Sequence, residues 1–109
     1  MKSYNFGDIV LLLFPFADTS ESKKRPALIL LDSGDDDILV ARITSQLYQT
    51  FYDVEIISWR EVGLLVPSVV RLHKLATLGK RLVDQKLGTL ADKDFENIKA
   101  KIRDICFSI

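Results

Sequence analysis

Gly7-Asp8-Ile9-Val10-Leu11-Leu12-Leu13-Phe14-Pro15 is the stretch that decides the fold. A glycine and an aspartate open an apolar run over residues 9–14, and a proline closes it. Such a run has strand length and is far too short to cross a bilayer, which takes about 20 apolar residues. Successive strand side chains point to opposite faces, so both faces of this strand are apolar. One face fills the interior of a small barrel. The other needs cover from a helix or from a second subunit, and in so short a chain this points to a dimer.

Outward from this strand, turn signals recur at short intervals. The polar residues 18–24 read as a loop ending in Lys23 and Lys24, before Arg25-Pro26-Ala27 and the apolar run Leu28-Ile29-Leu30-Leu31. Proline tolerates the first position of a strand, which sets a second strand at about 26–32. Ser33-Gly34-Asp35-Asp36 reads as a hairpin turn into a third strand over 38–43. Residues 52–57 alternate Tyr52, Val54 and Ile56 with Asp53 and Glu55, a strand with one wet face. Ser58-Trp59-Arg60-Glu61 has capping-box spacing and predicts one helical turn, stopped by Gly63. Strands are expected at 68–72 and 75–78, a short helical turn at 80–84, and a return to the sheet at 85–88. The spacing of Phe95, Ile98, Ile102 and Ile105 predicts an amphipathic helix over 92–106. Asp92 and Asp94 fall in its first turn, where acids complement the dipole, with Lys99, Lys101 and Arg103 further along its polar side. Many short strands and one terminal helix give a mainly β (α+β) class, a small and strongly bent β-barrel closed by a C-terminal α-helix.

The 109 residues are expected to form one domain over 1–109, with 48% apolar residues filling a single small core. A formal net charge of zero argues against a sequence-independent DNA coater, but allows a local basic groove. The lone cysteine, Cys106, makes no internal disulfide and is read as packing on the terminal helix. With no visible signal peptide in Met1-Lys2-Ser3-Tyr4-Asn5, a cytoplasmic protein is expected. Asp32, Asp35, Asp36 and Asp37 lack calcium-loop spacing and read as a solvated hairpin. Neither a zinc spacing, a P-loop nor a dinucleotide fingerprint occurs, so no metal or cofactor is expected. Trp59 reads as core or interface.

Three segments offer chemistry. Arg25, flanked by Lys23 and Lys24, reads either as a solvated cation at a strand end or as an anion ligand, since a guanidinium grips phosphate oxygens in a bidentate way. Thr44-Ser45-Gln46 follows an apolar strand. Ordinary turn chemistry accounts for it, and so does a cluster of short donors at the mouth of a sheet. Ser68-Val69-Val70-Arg71 places an arginine two residues before His73, and residues so spaced share one strand face. Arg71 and His73 together suit proton transfer and charge stabilisation at a phosphodiester; a structural histidine beside a surface arginine is the plainer reading.

Taken in order, Gly7-Asp8-Ile9-Val10, Phe14-Pro15-Phe16, Lys24-Arg25-Pro26-Ala27-Leu28, Ile43-Thr44-Ser45-Gln46, Gly63-Leu64, Ser68-Val69-Val70-Arg71 and Leu87-Gly88-Thr89-Leu90 resemble the MazF/PemK family of toxin–antitoxin endoribonucleases, and most the PemK-like branch. The resemblance covers nearly the whole chain, and its specificity lies in the ordered combination.

That family implies an SH3-like, strongly bent barrel with a C-terminal helix, working as a homodimer. It implies metal-independent cleavage of single-stranded RNA, commonly mRNA, at short sequences. The products are a 2′,3′-cyclic phosphate and a 5′-hydroxyl. An antitoxin is the implied inhibitory partner, and no membrane is involved. By position, the family's catalytic arginine falls on Arg25, its strand-end threonine on Thr44, and the PemK-branch arginine on Arg71. Where some members carry an aspartate as base, this chain has His73. Lys23, Lys24, Ser45, Gln46 and Ser68 are the expected RNA contacts. Two alternatives belong to another class: a gyrase-poison-like binding module on the same barrel, and a degenerate member that binds RNA or antitoxin without cutting.

Overall fold

The computed structural model describes residues 2–15 and 22–109. Six strands form one antiparallel sheet: β1 (Asp8–Pro15), β2 (Ser22–Leu31), β3 (Asp37–Thr44), β4 (Asp53–Ile56), β5 (Ser68–Gly79) and β6 (Val83–Thr89). Helix α1 (Asp92–Ser108) ends the chain. The strand order is β4-β5-β3-β2-β1-β6, so the sheet is mainly β as expected, while its two outer strands do not pair to close a barrel. Register shifts interrupt the ladders of β1 with β6, β2 with β3 and β3 with β5. Such irregularities bend and twist a sheet locally, which lets one sheet enclose a core on each face.

The two faces carry two cores. One holds Ile9, Leu28, Ile43, Ile56, Val70 and Ile98 of the helix, with Phe95, Ile102 and Ile105 packed against it. The other holds Val10, Leu12, Ala27, Ile29, Ile38 and Val40, with Leu78, Leu82 and Val83 at its margin. Both apolar faces of β1 are therefore covered within a single chain. The composition of β1 does not by itself call for a second subunit: α1 covers one face, and Tyr4, Leu78, Leu82 and Val83 pack against the other.

Other expectations shift for identifiable reasons. β2 begins at Ser22, so Lys23, Lys24 and Arg25 are strand residues paired to β1 and not the tail of a loop. Residues 18–21 of that expected loop lie outside the described residues. Pro26 sits inside β2 because the ladder to β3 begins only at Ala27, leaving Pro26 with one neighbouring strand. The two strands expected at 68–72 and 75–78 are one continuous β5, irregular near its middle. The helical turn expected at 80–84 is a single 3-10 turn, Lys80–Leu82.

Residues 57–63 form turns and no helix. Glu61 N–H donates to the carbonyl of Ser58 (3.1 Å) and Gly63 N–H to that of Arg60 (3.2 Å). The Ser58 N–H is taken by a carboxylate from α1. Asp94, fully buried, accepts from the N–H groups of Ile57 (3.0 Å) and Ser58 (2.9 Å), tying the helix to the end of β4. Gly63 does end the segment, at φ +85°, and a Cβ there would lie 3.0 Å from the Leu87 carbonyl. Cys106 is exposed, not packed. Trp59 packs against the helix-side core, as its size suggests. Asp32 of the acidic stretch is structural: it accepts from the N–H groups of Tyr4 (2.8 Å) and Gly34 (2.9 Å) and pairs with Lys80 (3.0 Å). Among the described residues, no helix is long and apolar enough to cross a membrane.

Candidate functional site

Antiparallel register decides which side chains meet. Ala27 lies opposite Arg42, Arg42 opposite Arg71, and Arg71 opposite Asp53, a single row across β2, β3, β5 and β4. Directly opposed residues share a face. Arg25 and Thr44 lie two residues beyond Ala27 and Arg42, on that same face and at the same end of the two strands. The core on this face reaches Ala27 and Val40, and the row beyond it, Arg42, Arg71 and Asp53, is charged.

At that end lies a groove of about 540 Å³. Its lining includes Lys24, Arg25, Thr44, Ser45 and Ser68, five of the nine residues singled out from the sequence. Leu64, Leu65 and Val66 form an apolar wall, held by the turn at Gly63. The groove therefore combines hydroxyl donors, an apolar wall and positive charge, and suits a phosphate attached to a flat apolar group.

The donors differ in what they have left to give. Thr44 Oγ1 accepts the N–H of Gln46 (3.2 Å), the turn chemistry expected there, and that contact leaves the hydroxyl proton for another acceptor. Ser68 Oγ donates to the Val66 carbonyl (2.9 Å), so its proton braces the groove wall. Lys24 Nζ lies 3.3 Å from Asp84, which offsets part of its charge. Arg25 is exposed and has no carboxylate partner among the described residues, and its charge dominates the groove. Lys23 and Gln46 are exposed and do not line it.

Arg71 and His73 belong to a neighbouring cluster. Arg71 Nε donates to Asp53 at 2.9 Å, with the arginine side chain 12% and the aspartate 1% exposed. The Tyr48 ring lies 3.6 Å from the guanidinium carbon and covers one face of it. Thr50 completes the clamp, its hydroxyl donating to the second Asp53 oxygen (2.6 Å) and its N–H to the same atom (3.0 Å). Burial pushes the Asp53 carboxyl up, but the hydrogen bonds from Thr50 and Arg71 and the guanidinium charge outweigh it. The net position is below the usual carboxylate range. His73 takes a different partner, the Tyr52 ring at 4.9 Å. Arg71 and His73 thus go to separate partners at the irregularity of β5, and neither lines the groove.

Sequence reasoning missed Arg42, Asp53 and Tyr48. Arg42 carried a signal, a charge between the apolar Ala41 and Ile43 on the wet side of the alternation. Asp53 was recognised only as a wet-face residue, because its partner Arg71 follows from register, which sequence does not supply.

Residues 5–106 match a family described as PemK-like, MazF-like toxin of type II toxin–antitoxin system. Solved structures of low sequence identity share the fold. A MazE-MazF complex from Deinococcus radiodurans aligns with a TM-score of 0.74 at 19% identity, covering 94% of this chain and 95% of that one. An endoribonuclease in complex with its cognate antitoxin, from a mycobacterial species, gives 0.73 at 16% identity over 92% and 91%. A Mycobacterium tuberculosis MazF toxin gives 0.68 at 21% identity over 87% and 93%. No curated protein matches the chain.

Proposed function

Because this chain belongs to the family of PemK-like, MazF-like toxins of type II toxin–antitoxin systems, we propose that it is the toxin of such a module, a metal-independent, sequence-selective endoribonuclease acting on single-stranded RNA. The observation that carries the proposal is the convergence of Arg25, Thr44 and Ser45 on one groove beside an apolar wall.

The chemistry proposed is attack of a 2′-hydroxyl on the adjacent phosphorus. The O2′–P bond forms and the P–O5′ bond breaks, giving a 2′,3′-cyclic phosphate and a 5′-hydroxyl. The 2′-hydroxyl proton goes to a base and the leaving O5′ takes a proton from an acid, while the phosphorane gathers negative charge. Arg25 is assigned to the phosphorane oxygens, where a guanidinium stabilises charge as it develops. Thr44 is assigned as a hydrogen-bond donor to the same group, its oxygen already oriented by Gln46 N–H. Arg71, clamped between Tyr48 and Asp53 beside the groove, is proposed as a fixed guanidinium donor whose charge Asp53 largely offsets. His73, exposed on the next stretch of β5, is proposed as the proton-transfer group in place of the acid of other members. Lys23, Lys24, Ser45, Gln46 and Ser68 are proposed as the RNA-side environment. A homodimer and a cognate antitoxin that covers the groove complete the reading; the antitoxin in a solved structure of this fold supports the second.

The test is cleavage of end-labelled RNA by antitoxin-free protein in EDTA, beside Arg25→Ala. Discrete cuts with cyclic-phosphate ends, reduced about a hundredfold in the variant, are expected. Undiminished cutting by a folded Arg25→Ala removes Arg25 from the site. Absence of cutting by the wild type across several long RNAs favours the non-catalytic binding module.

A further inference from the structure

A second hollow of about 370 Å³ adjoins the groove and shares Arg25 with it. Arg42 and Lys74 stand with Arg25 at this hollow, and Pro26, Leu75 and Ala76 contribute its apolar lining. Among the described residues none of the three cations has a carboxylate partner, although Asp8, Asp32, Asp53, Asp84 and Glu96 each hold one elsewhere. This part of β5 has β3 on one side and, among the described residues, no strand on the other, since β4 pairs only with the Ser68 to Arg71 end. Three uncompensated cations around an apolar surface at an open sheet edge are unexplained by the folding of the chain.

We propose that this hollow is an extended RNA subsite, which holds a nucleotide flanking the scissile bond: Arg42 and Lys74 take backbone phosphates and the surface of Pro26, Leu75 and Ala76 takes a base. The inference rests on the nuclease reading above and adds where the strand runs. Arg25 lines both hollows and lies beyond the end of the β2–β3 ladder, so a strand with its scissile phosphate at Arg25 reaches the second hollow around that end. Arg25 and Arg42 are diagonal neighbours on adjacent strands, on the order of 5–8 Å apart at Cβ, a step that long side chains span between successive phosphates. Charge for a backbone joined to an apolar platform for a base is the combination by which proteins hold single strands. An acidic antitoxin segment answers the cations too, but it has no equal claim on continuity with the scissile position.

The experiment compares wild type with Arg42→Ala/Lys74→Ala in binding two 2′-O-methyl RNAs centred on the mapped cut, one of about four and one of about twelve nucleotides, over a salt series. Each phosphate neutralised on a single strand adds about 0.7 to the slope of log K against log salt, so losing two contacts flattens it by about 1.4. A fourfold rise in salt then costs the wild type about sevenfold more affinity than the variant on the long RNA. The wild type's preference for the long RNA over the short is expected to shrink with it. The conservative Arg42→Lys/Lys74→Arg is expected to restore the slope, and Lys74→Glu alone serves if the double variant unfolds. An unchanged slope and length preference in a wild type that cuts RNA overturns this subsite and leaves the nuclease reading standing. Weakened antitoxin binding with RNA binding intact assigns the hollow to the antitoxin and also overturns it. A wild type that neither cuts nor binds RNA removes both.

Discussion

Asp94→Ala tests whether one buried carboxylate joins the helix to the sheet. Asp94 is fully buried in the first turn of α1, and its two oxygens accept the consecutive N–H groups of Ile57 and Ser58 at 3.0 and 2.9 Å. A hydrogen bond to a charged group contributes about 1.5–3 kcal/mol net, so two give about 3–6 kcal/mol. Ser58 is only half-buried, so water reaching its N–H after truncation offsets part of this, and a loss of about 3–4 kcal/mol is expected. For a domain with about 5–15 kcal/mol in total, that is a large fraction. Urea unfolding followed by far-UV circular dichroism gives the measurement; with m about 1.5 kcal/mol/M the midpoint falls by about 2–2.7 M. Asp94→Asn keeps the shape and one acceptor but sets an NH₂ against the other N–H, so it is expected to cost about 2–3 kcal/mol. A loss below about 1 kcal/mol for Asp94→Ala would refute the reasoning, by showing that apolar packing alone holds α1 on β4.

Asp53→Ala leaves the Arg71 guanidinium without its carboxylate, and a cycle with Arg71→Ala is expected to give a coupling of about 1–3 kcal/mol by urea unfolding; additivity sinks the clamp. The Asp53 carboxyl lies below its unfolded value, so its stabilisation is present above an unfolded pKa of about 3.9 and is lost as pH falls through the lower folded value; Asp53→Asn should show a shallower acid loss of stability. Gly63→Ala places a Cβ at φ +85° and 3.0 Å from the Leu87 carbonyl, and about 2 kcal/mol of destabilisation is expected in thermal or urea melts. Thr44→Val keeps the shape and removes the hydroxyl from the groove; cleavage is expected to fall about tenfold or more with the unfolding midpoint little changed, and full activity would place the donor elsewhere.

The strands were legible where period and length agreed. Residues 9–14, 38–43 and the helix from Asp92 fell within a residue or two of their observed bounds, since apolar alternation and a 3.6-residue period reflect burial directly. Pro26 misled because its place in a strand depends on whether a neighbour is there to be paired, and the ladder to β3 begins one residue later, at Ala27. The capping-box spacing at 58–61 misled because the Ser58 N–H is taken by Asp94, 36 residues away, and long-range partners override local propensity. Of the groove's lining, Thr44 and Ser45 were legible as polar residues at a strand end, where side chains reach a groove without disturbing a core, and Arg25 as a cation before Pro26, although β2 carries it inside the strand.

By itself, the sequence determined that this chain folds as strands capped by one amphipathic helix and, through ordered motifs over nearly its whole length, the family to which it belongs. Those properties are local or ordered along the chain, and residue type and spacing encode them. The tertiary structure decided which cations are free and which are spent. Arg71 is held by Asp53 and Tyr48, Lys24 faces Asp84, and among the described residues Arg25 and Arg42 stand uncompensated on adjacent strands. Strand register makes those assignments, and a shift of one residue exchanges the faces of a whole strand, so a charge's partner is set by the paired sheet and not by its neighbours in the chain.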